Sequence, residues 1–354
     1  MDKKVTHALI LLCLQLFACF YQSKGDALHE IKGMFVFGSS LVDNGNNNFL
    51  QNSLAKADFL PYGIDFPLGP TGRFTNGKNV VDLLGEMLML PCLIPTFSDP
   101  STKGIRVVHG VNFASGASGI LDETGFVANL EEITLPELEK QLGTREIIKN
   151  YMFIVGTGGN DYSFNYFLRR GDNNLTLQDF TANLTNSLSL QLKKLYKLGA
   201  RKFVLMSINP LGCYPMVNAL RNGSNCIEAL NRAATLFNDG LKWLVDVAKS
   251  DMPESNLVFV NSYKIISDSI ENPSSRGFRD VNNACCEVVA SSQLGGGGVL
   301  CKEGGRTCND RRGHVFFDGL HPTEAVNVEI AIKAFTSKLQ TEVYPINVHQ
   351  LALL

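Results

Sequence analysis

The chain has 354 residues, 45% apolar and 19% charged, a globular composition that excludes general disorder. Its 32 Lys and Arg against 34 Asp and Glu leave a formal net charge of −2, without the basic footprint of a nucleic-acid binder. A chain of this length buries about three quarters of its unfolded surface, so its core requires no metal or disulfide staple. No apolar run reaches the roughly 18 residues of a membrane span, which argues against stable membrane insertion.

In chain order, Lys3 and Lys4 precede an apolar stretch from Ala8 to Phe20 that gives way to Gln22, Ser23, Lys24 and Gly25. A positive head, a short apolar run and a small-residue exit predict a secretory signal peptide over 1–25. A signal anchor is the alternative, and the run is short for one. The remainder, 26–354, carries no repeat, charge run or linker and is expected to be one domain.

Met34 to Phe37 reads as a short buried strand stopped by Gly38, Ser39 and Ser40. Val107 to Phe113 runs in the same way into Ala114, Ser115 and Gly116. Tyr151 to Val155 runs into Gly156 and onward to Asn160 and Asp161. Leu184 to Leu198 has helical spacing, Lys202 to Met206 is again strand-like, and Ile227 to Lys249 is helical. Leu257 to Val260 is the last strand pattern, and Pro322 is placed at the first position of a final helix running through Phe335. Strand, polar loop and helix, repeated about five times, predict an α/β protein, a three-layer α/β/α sandwich with a mainly parallel sheet. Chemistry in such folds sits at the carboxyl ends of the strands.

Of nine cysteines, Cys13 and Cys19 fall in the leader. Cys213 with Cys226, and Cys285, Cys286, Cys301 and Cys308, cluster in two loops and are expected to pair. That leaves Cys92, expected as a buried thiol outside the pairs. A zinc cluster is the rival reading, but C-x2-C pairs with distant His partners are missing. Sequons at Asn174, Asn183 and Asn222 fit a glycosylated, exported chain. Gly72 to Lys78 has the spacing of a phosphate-binding loop, but Asn79 replaces the Ser or Thr that would hold Mg²⁺. The glycines from Gly295 to Gly298 read as a turn.

His321 is the histidine with an acid in a useful position, Asp318, three residues ahead across Gly319. That acid can hold the imidazole tautomer as the third member of a triad does, although a lone D-x-x-H also fits a capped turn. Ser40, at the end of the first predicted strand, is the candidate nucleophile, and turn chemistry is its plainer reading. The elbow G-x-S-x-G does not occur, which argues against the usual α/β-hydrolase.

Phe35-Val-Phe-Gly-Ser-Ser-Leu-Val-Asp-Asn-Gly-Asn-Asn-Asn48 resembles the first block of the plant GDSL esterase/lipase family, within the SGNH hydrolases. Asn112-Phe-Ala-Ser-Gly-Ala-Ser-Gly-Ile120 resembles the second block, Gly159-Asn160-Asp161 the third, and Asp318-Gly-Leu-His-Pro-Thr-Glu324 the last. Connecting stretches such as Leu60-Pro-Tyr-Gly-Ile-Asp-Phe-Pro67 and Gly72-Arg-Phe-Thr-Asn-Gly77 are similar too, so the resemblance spans the chain after its leader.

The resemblance implies a flavodoxin-like five-stranded sheet and a secreted serine esterase/lipase acting on acyl-ester small molecules or lipids. Ser40 is then the nucleophile, His321 the base and Asp318 its orienter. Ser40, Gly116 and Asn160 would form the oxyanion hole, and no metal or organic cofactor is required. The chain departs from the family pattern at Ser39, where Asp is usual, at Gly159, where Ser is common, and at Glu287-Val288-Val289 after the paired cysteines. An extracellular acyltransferase using the same site, or a weak relative that binds acyl or glycan ligands, shares these residues.

Overall fold

The structure, a computed structural model, describes residues 31–121, 129–167, 175–219, 226–289 and 298–354. The expected leader over 1–25, Asn174, Asn222 and three of the four glycines (Gly295, Gly296 and Gly297) lie outside these residues. The strands are β1 (Gly33–Gly38), β2 (Tyr151–Gly156), β3 (Lys202–Met206), β4 (Asn256–Val260), β5 (Asp280–Ala284), β6 (His314–Phe316) and β7 (Val343–Tyr344). The main sheet has the order β1-β2-β3-β4-β7, parallel except for β7 at its edge. The expected α/β fold with a mainly parallel five-stranded sheet is therefore present. A parallel strand covered on both faces must be apolar throughout, which is why these strands read as unbroken apolar runs. Phe35, Phe153 and Phe203 share one register row across β1, β2 and β3. Their rings lie 5.3 and 5.5 Å apart, and such cross-strand pairs contribute about 0.2–1 kcal/mol each.

The stretch predicted as a strand over Val107 to Phe113 is different. Gly104–Val107 is a 3-10 turn, and only isolated bridges link Asn112 to Val36 and Thr96. Val36 N–H still donates to Val111 O, and Phe113 N–H to Val36 O, so the segment runs parallel to β1 on its outer side. Gly110 has φ 98°, and a Cβ there would meet Met34 O at 1.8 Å, so the ladder cannot run on regularly at this point. With that segment counted, the strands follow the flavodoxin-like order.

The helices are α1 (Val80–Met87), α2 (Leu135–Leu142), α3 (Leu177–Lys197), α4 (Glu228–Asp251), α5 (Ser262–Glu271), α6 (Glu324–Thr336) and α7 (Val348–Ala352), besides shorter turns. α3 packs on α4, and α1 packs on α6. Right-handed crossovers place α3 and α4 on one face of the sheet and α1 on the other, giving the expected layers. α3 begins at Leu177, about two turns before the predicted Leu184. Its N-cap Thr176 accepts from Asp179 N–H at 3.1 Å, a capping signal the apolar spacing does not carry. α6 starts at Glu324, with Thr323 rather than a residue before Pro322 as its N-cap. Pro322 instead bridges back to Phe316, and the cap donor Glu324 N–H is satisfied from a distance by Asn76 Oδ1 at 2.9 Å.

β5 and β6 form a small parallel pair beside the main sheet, and β6 leads directly into Phe317 and Asp318. Disulfides join Cys285 to Cys308 and Cys286 to Cys301 next to it, and Cys213 to Cys226 elsewhere. Closing loops of 13 to 23 residues contributes about 3 kcal/mol each in the chain-entropy account. Cys92 is outside these pairs and half-buried rather than buried; it lines a surface cavity with Ile94 and His109. His314 does approach Cys285 and Cys308, but their sulfurs are bonded to each other, which removes the zinc reading. Among the described residues no helix is long and apolar enough to cross a membrane.

Candidate active site

β1 ends at Gly38, where a Cβ would lie 2.4 Å from Gly156 O at the end of β2. The close approach sets the chain into a turn, and Ser40 follows within it at the carboxyl edge of the sheet. His321 comes to this point from the other end of the chain, between β6 and α6. Its Nε2 lies 2.7 Å from Ser40 Oγ, and its Nδ1 lies 2.7 and 2.9 Å from Asp318 Oδ2 and Oδ1. All three residues are buried, Asp318 completely.

A buried carboxylate needs donors, and Asp318 has them. Its Oδ1 accepts the backbone N–H groups of Leu320 at 2.8 Å and His321 at 2.7 Å, the turn expected of D-x-x-H. Its Oδ2 accepts the Tyr62 hydroxyl at 2.7 Å. The capped-turn reading and the triad reading of Asp318 are thus compatible, one oxygen serving largely the backbone. Phe74 covers the imidazole, its ring centroid 5.0 Å away.

The residues expected to receive negative charge are arranged less simply. Asn160 lies beyond β2 and shares a pocket wall with Ser40. Its side-chain amide donates one N–H to Ser118 O at 2.8 Å, which fixes its orientation and leaves the second N–H. The Ser40 N–H makes no hydrogen bond among the described residues. The Gly116 N–H, by contrast, donates to Asp43 Oδ2 at 3.0 Å and is not an open donor. Asp43 is fully buried and also accepts from Gly45 and Asn46 N–H, at 2.7 and 2.8 Å. Burial pushes its carboxyl up to about 6, and the three backbone donors oppose that shift. Gly116 also allows close packing, since a Cβ there would meet Asn47 Nδ2 at 2.7 Å and Phe74 Cζ at 2.8 Å.

The family described as GDSL-like Lipase/Acylhydrolase matches residues 34–334. The chain belongs to the GDSL esterase/lipase family. One Arabidopsis thaliana GDSL esterase/lipase is 38% identical over 98% of this chain and 97% of its own length. A second from that plant is 42% identical over 91% and 87%, respectively. The ordered blocks named from the sequence all lie in the matched span, and the chain is a hydrolase of the GDSL type.

Within this GDSL chain the Ser39 departure is visible. Ser39 N–H donates to Gly156 O at 3.1 Å, and its side chain lines the pocket beside Ser40 without a hydrogen bond among the described residues. Asp161 holds the neighbouring loop, accepting from Ile120 N–H at 2.8 Å and Leu121 N–H at 3.2 Å. Sequence reasoning assigned no role to Tyr62, Asp43 or Phe74. All three stand in stretches quoted for the resemblance, which was the available signal. Asn183, the described sequon, is exposed on α3.

Proposed function

We propose that this chain is a secreted serine esterase/lipase that hydrolyses carboxylic esters through an acyl-enzyme on Ser40. The observation that carries the reading is the continuous chain of short hydrogen bonds from Ser40 Oγ through His321 to Asp318. His321 Nε2 takes the hydroxyl proton as Ser40 attacks the ester carbonyl, and Asp318 holds Nδ1–H and balances the imidazolium. The Ser40 N–H and the second amide N–H of Asn160 receive the developing oxyanion. His321 then protonates the departing alcohol, and water, activated by the same imidazole, releases the acid. The chemistry closes on these groups and calls for no cofactor. Turnover of p-nitrophenyl esters of rising chain length tests the activity and reads the acyl class. No turnover with any of them would defeat the reading.

Export of residues 26–354 as one domain is part of the proposal, supported by three disulfides and the exposed Asn183. Protein recovered from the medium of a plant host is expected to start near residue 26 with those six cysteines oxidised and a mass that falls on glycosidase treatment. A retained Met1, or six reactive thiols, would contradict export.

Ser39→Asp is expected to raise kcat/KM by about 3- to 30-fold, or about 0.7–2 kcal/mol. A carboxylate there lines the pocket beside Ser40 and can accept charge-assisted hydrogen bonds, which are roughly twice as strong as neutral ones. The gain is a stiffer turn around Ser40, not a new chemical step. Lower activity in Ser39→Asp would mean that the pocket has been rebuilt around serine.

A further inference from the structure

Tyr62 lies in the Leu60-Pro-Tyr-Gly stretch and is completely buried. Its ring is held edge-on by Phe59, Phe74 and Phe317, with centroids 5.4, 6.0 and 5.7 Å away. Phe74 is also the ring that covers His321. The Tyr62 oxygen accepts the Cys301 N–H at 3.0 Å, so its own proton is directed the other way, to Asp318 Oδ2 at 2.7 Å. Burial and the Asp318 charge push the phenol well above its usual range, which keeps it a donor.

The contacts form a closed circuit. Cys301 is bonded to Cys286, Cys286 N–H donates to Phe317 O at 2.9 Å, and Phe317 precedes Asp318. Two routes therefore run from one disulfide to the same acid, one along the backbone and one through the phenol. Without Tyr62, Asp318 Oδ2 would keep only the His321 Nδ1–H, and the orientation of the carboxylate would rest on the backbone donors at Oδ1 alone.

We propose that Tyr62 is a positioning residue: aimed by the Cys301 N–H, it fixes the orientation in which Asp318 holds His321, and so couples the Cys286–Cys301 disulfide to the Ser40 hydroxyl. The inference rests on Ser40, His321 and Asp318 acting as the hydrolytic triad.

The test is Tyr62→Phe, which keeps the ring and removes the donor, compared with wild type on p-nitrophenyl butyrate across pH. We expect kcat to fall by about 3- to 30-fold with KM nearly unchanged, because the lost bond acts on orientation and not on substrate. The acid limb of kcat/KM should move to higher pH, since Asp318 with one donor fewer holds the imidazolium proton more tightly. In proton NMR the His321 Nδ1–H resonance should move with it. A fluorotyrosine incorporated at position 62 has the same shape and donates more strongly, so it should move the limb the opposite way. It carries the test if the phenylalanine variant does not fold. A lower melting temperature with kcat, acid limb and Nδ1–H resonance all unmoved would reduce Tyr62 to packing and overturn the inference. Should wild type and Ser40→Ala prove equally inactive, the hydrolase reading fails. The Nδ1–H resonance still decides whether Tyr62 acts on Asp318 and His321.

Discussion

Ser40→Ala is expected to lose ester hydrolysis by about 10⁴- to 10⁶-fold, the range seen when a member of a catalytic triad is removed. The loss follows from position. Ser40 Oγ is the atom 2.7 Å from His321 Nε2, and no other hydroxyl of the described residues is hydrogen-bonded to that nitrogen. The fold should survive, since the hydroxyl makes one neutral bond, worth about 1 kcal/mol net, and sits in a turn held by backbone contacts. Thermal unfolding together with steady-state turnover on a p-nitrophenyl ester checks both halves. Near-wild-type turnover in a folded variant would remove Ser40 from the mechanism.

Asn160→Ala is expected to lower kcat by about 10²- to 10³-fold, or about 2.7–4 kcal/mol, and to change KM far less. Its amide is anchored to Ser118 O, so the free N–H is held in place before substrate arrives. Such a donor acts on charge that exists only in the transition state, which is why the effect falls on kcat. With the Gly116 N–H occupied by Asp43, fewer donors remain, and the loss should lie toward the upper end of the range. An unchanged kcat would place the oxyanion elsewhere, and the Gly116 N–H, released from Asp43 by substrate, would be the first alternative.

The parallel strands were legible because a strand buried on both faces has to be apolar without interruption, as in Met34–Phe37 and Tyr151–Val155. Val107 to Phe113 carried a strand-like pattern interrupted by His109, Gly110 and Asn112; Gly110 breaks its regularity, and a single glycine does not announce its φ. β7 is two residues long and lies below any periodicity. Asp318 and His321 were readable since they are three positions apart and the turn is local. Ser40 is 281 positions from His321, and only the resemblance of the blocks joined them before the fold did. Tyr62 is 256 positions from Asp318 and in a loop, where no spacing rule connects a phenol to a carboxylate. Gly116 was placed in the right block, but the partner of its N–H depends on where the Asp43 side chain is buried, which residue order does not express.

The central claim is that Ser40 becomes the acylated residue, and covalent labelling tests it most directly. Wild-type protein treated with a p-nitrophenyl alkylphosphonate, digested and mapped by mass spectrometry should carry one phosphonyl group on Ser40, with activity lost in proportion to labelling. Ser40→Ala should take up none. Labelling at a different residue, or stoichiometric labelling of folded Ser40→Ala, would contradict the account.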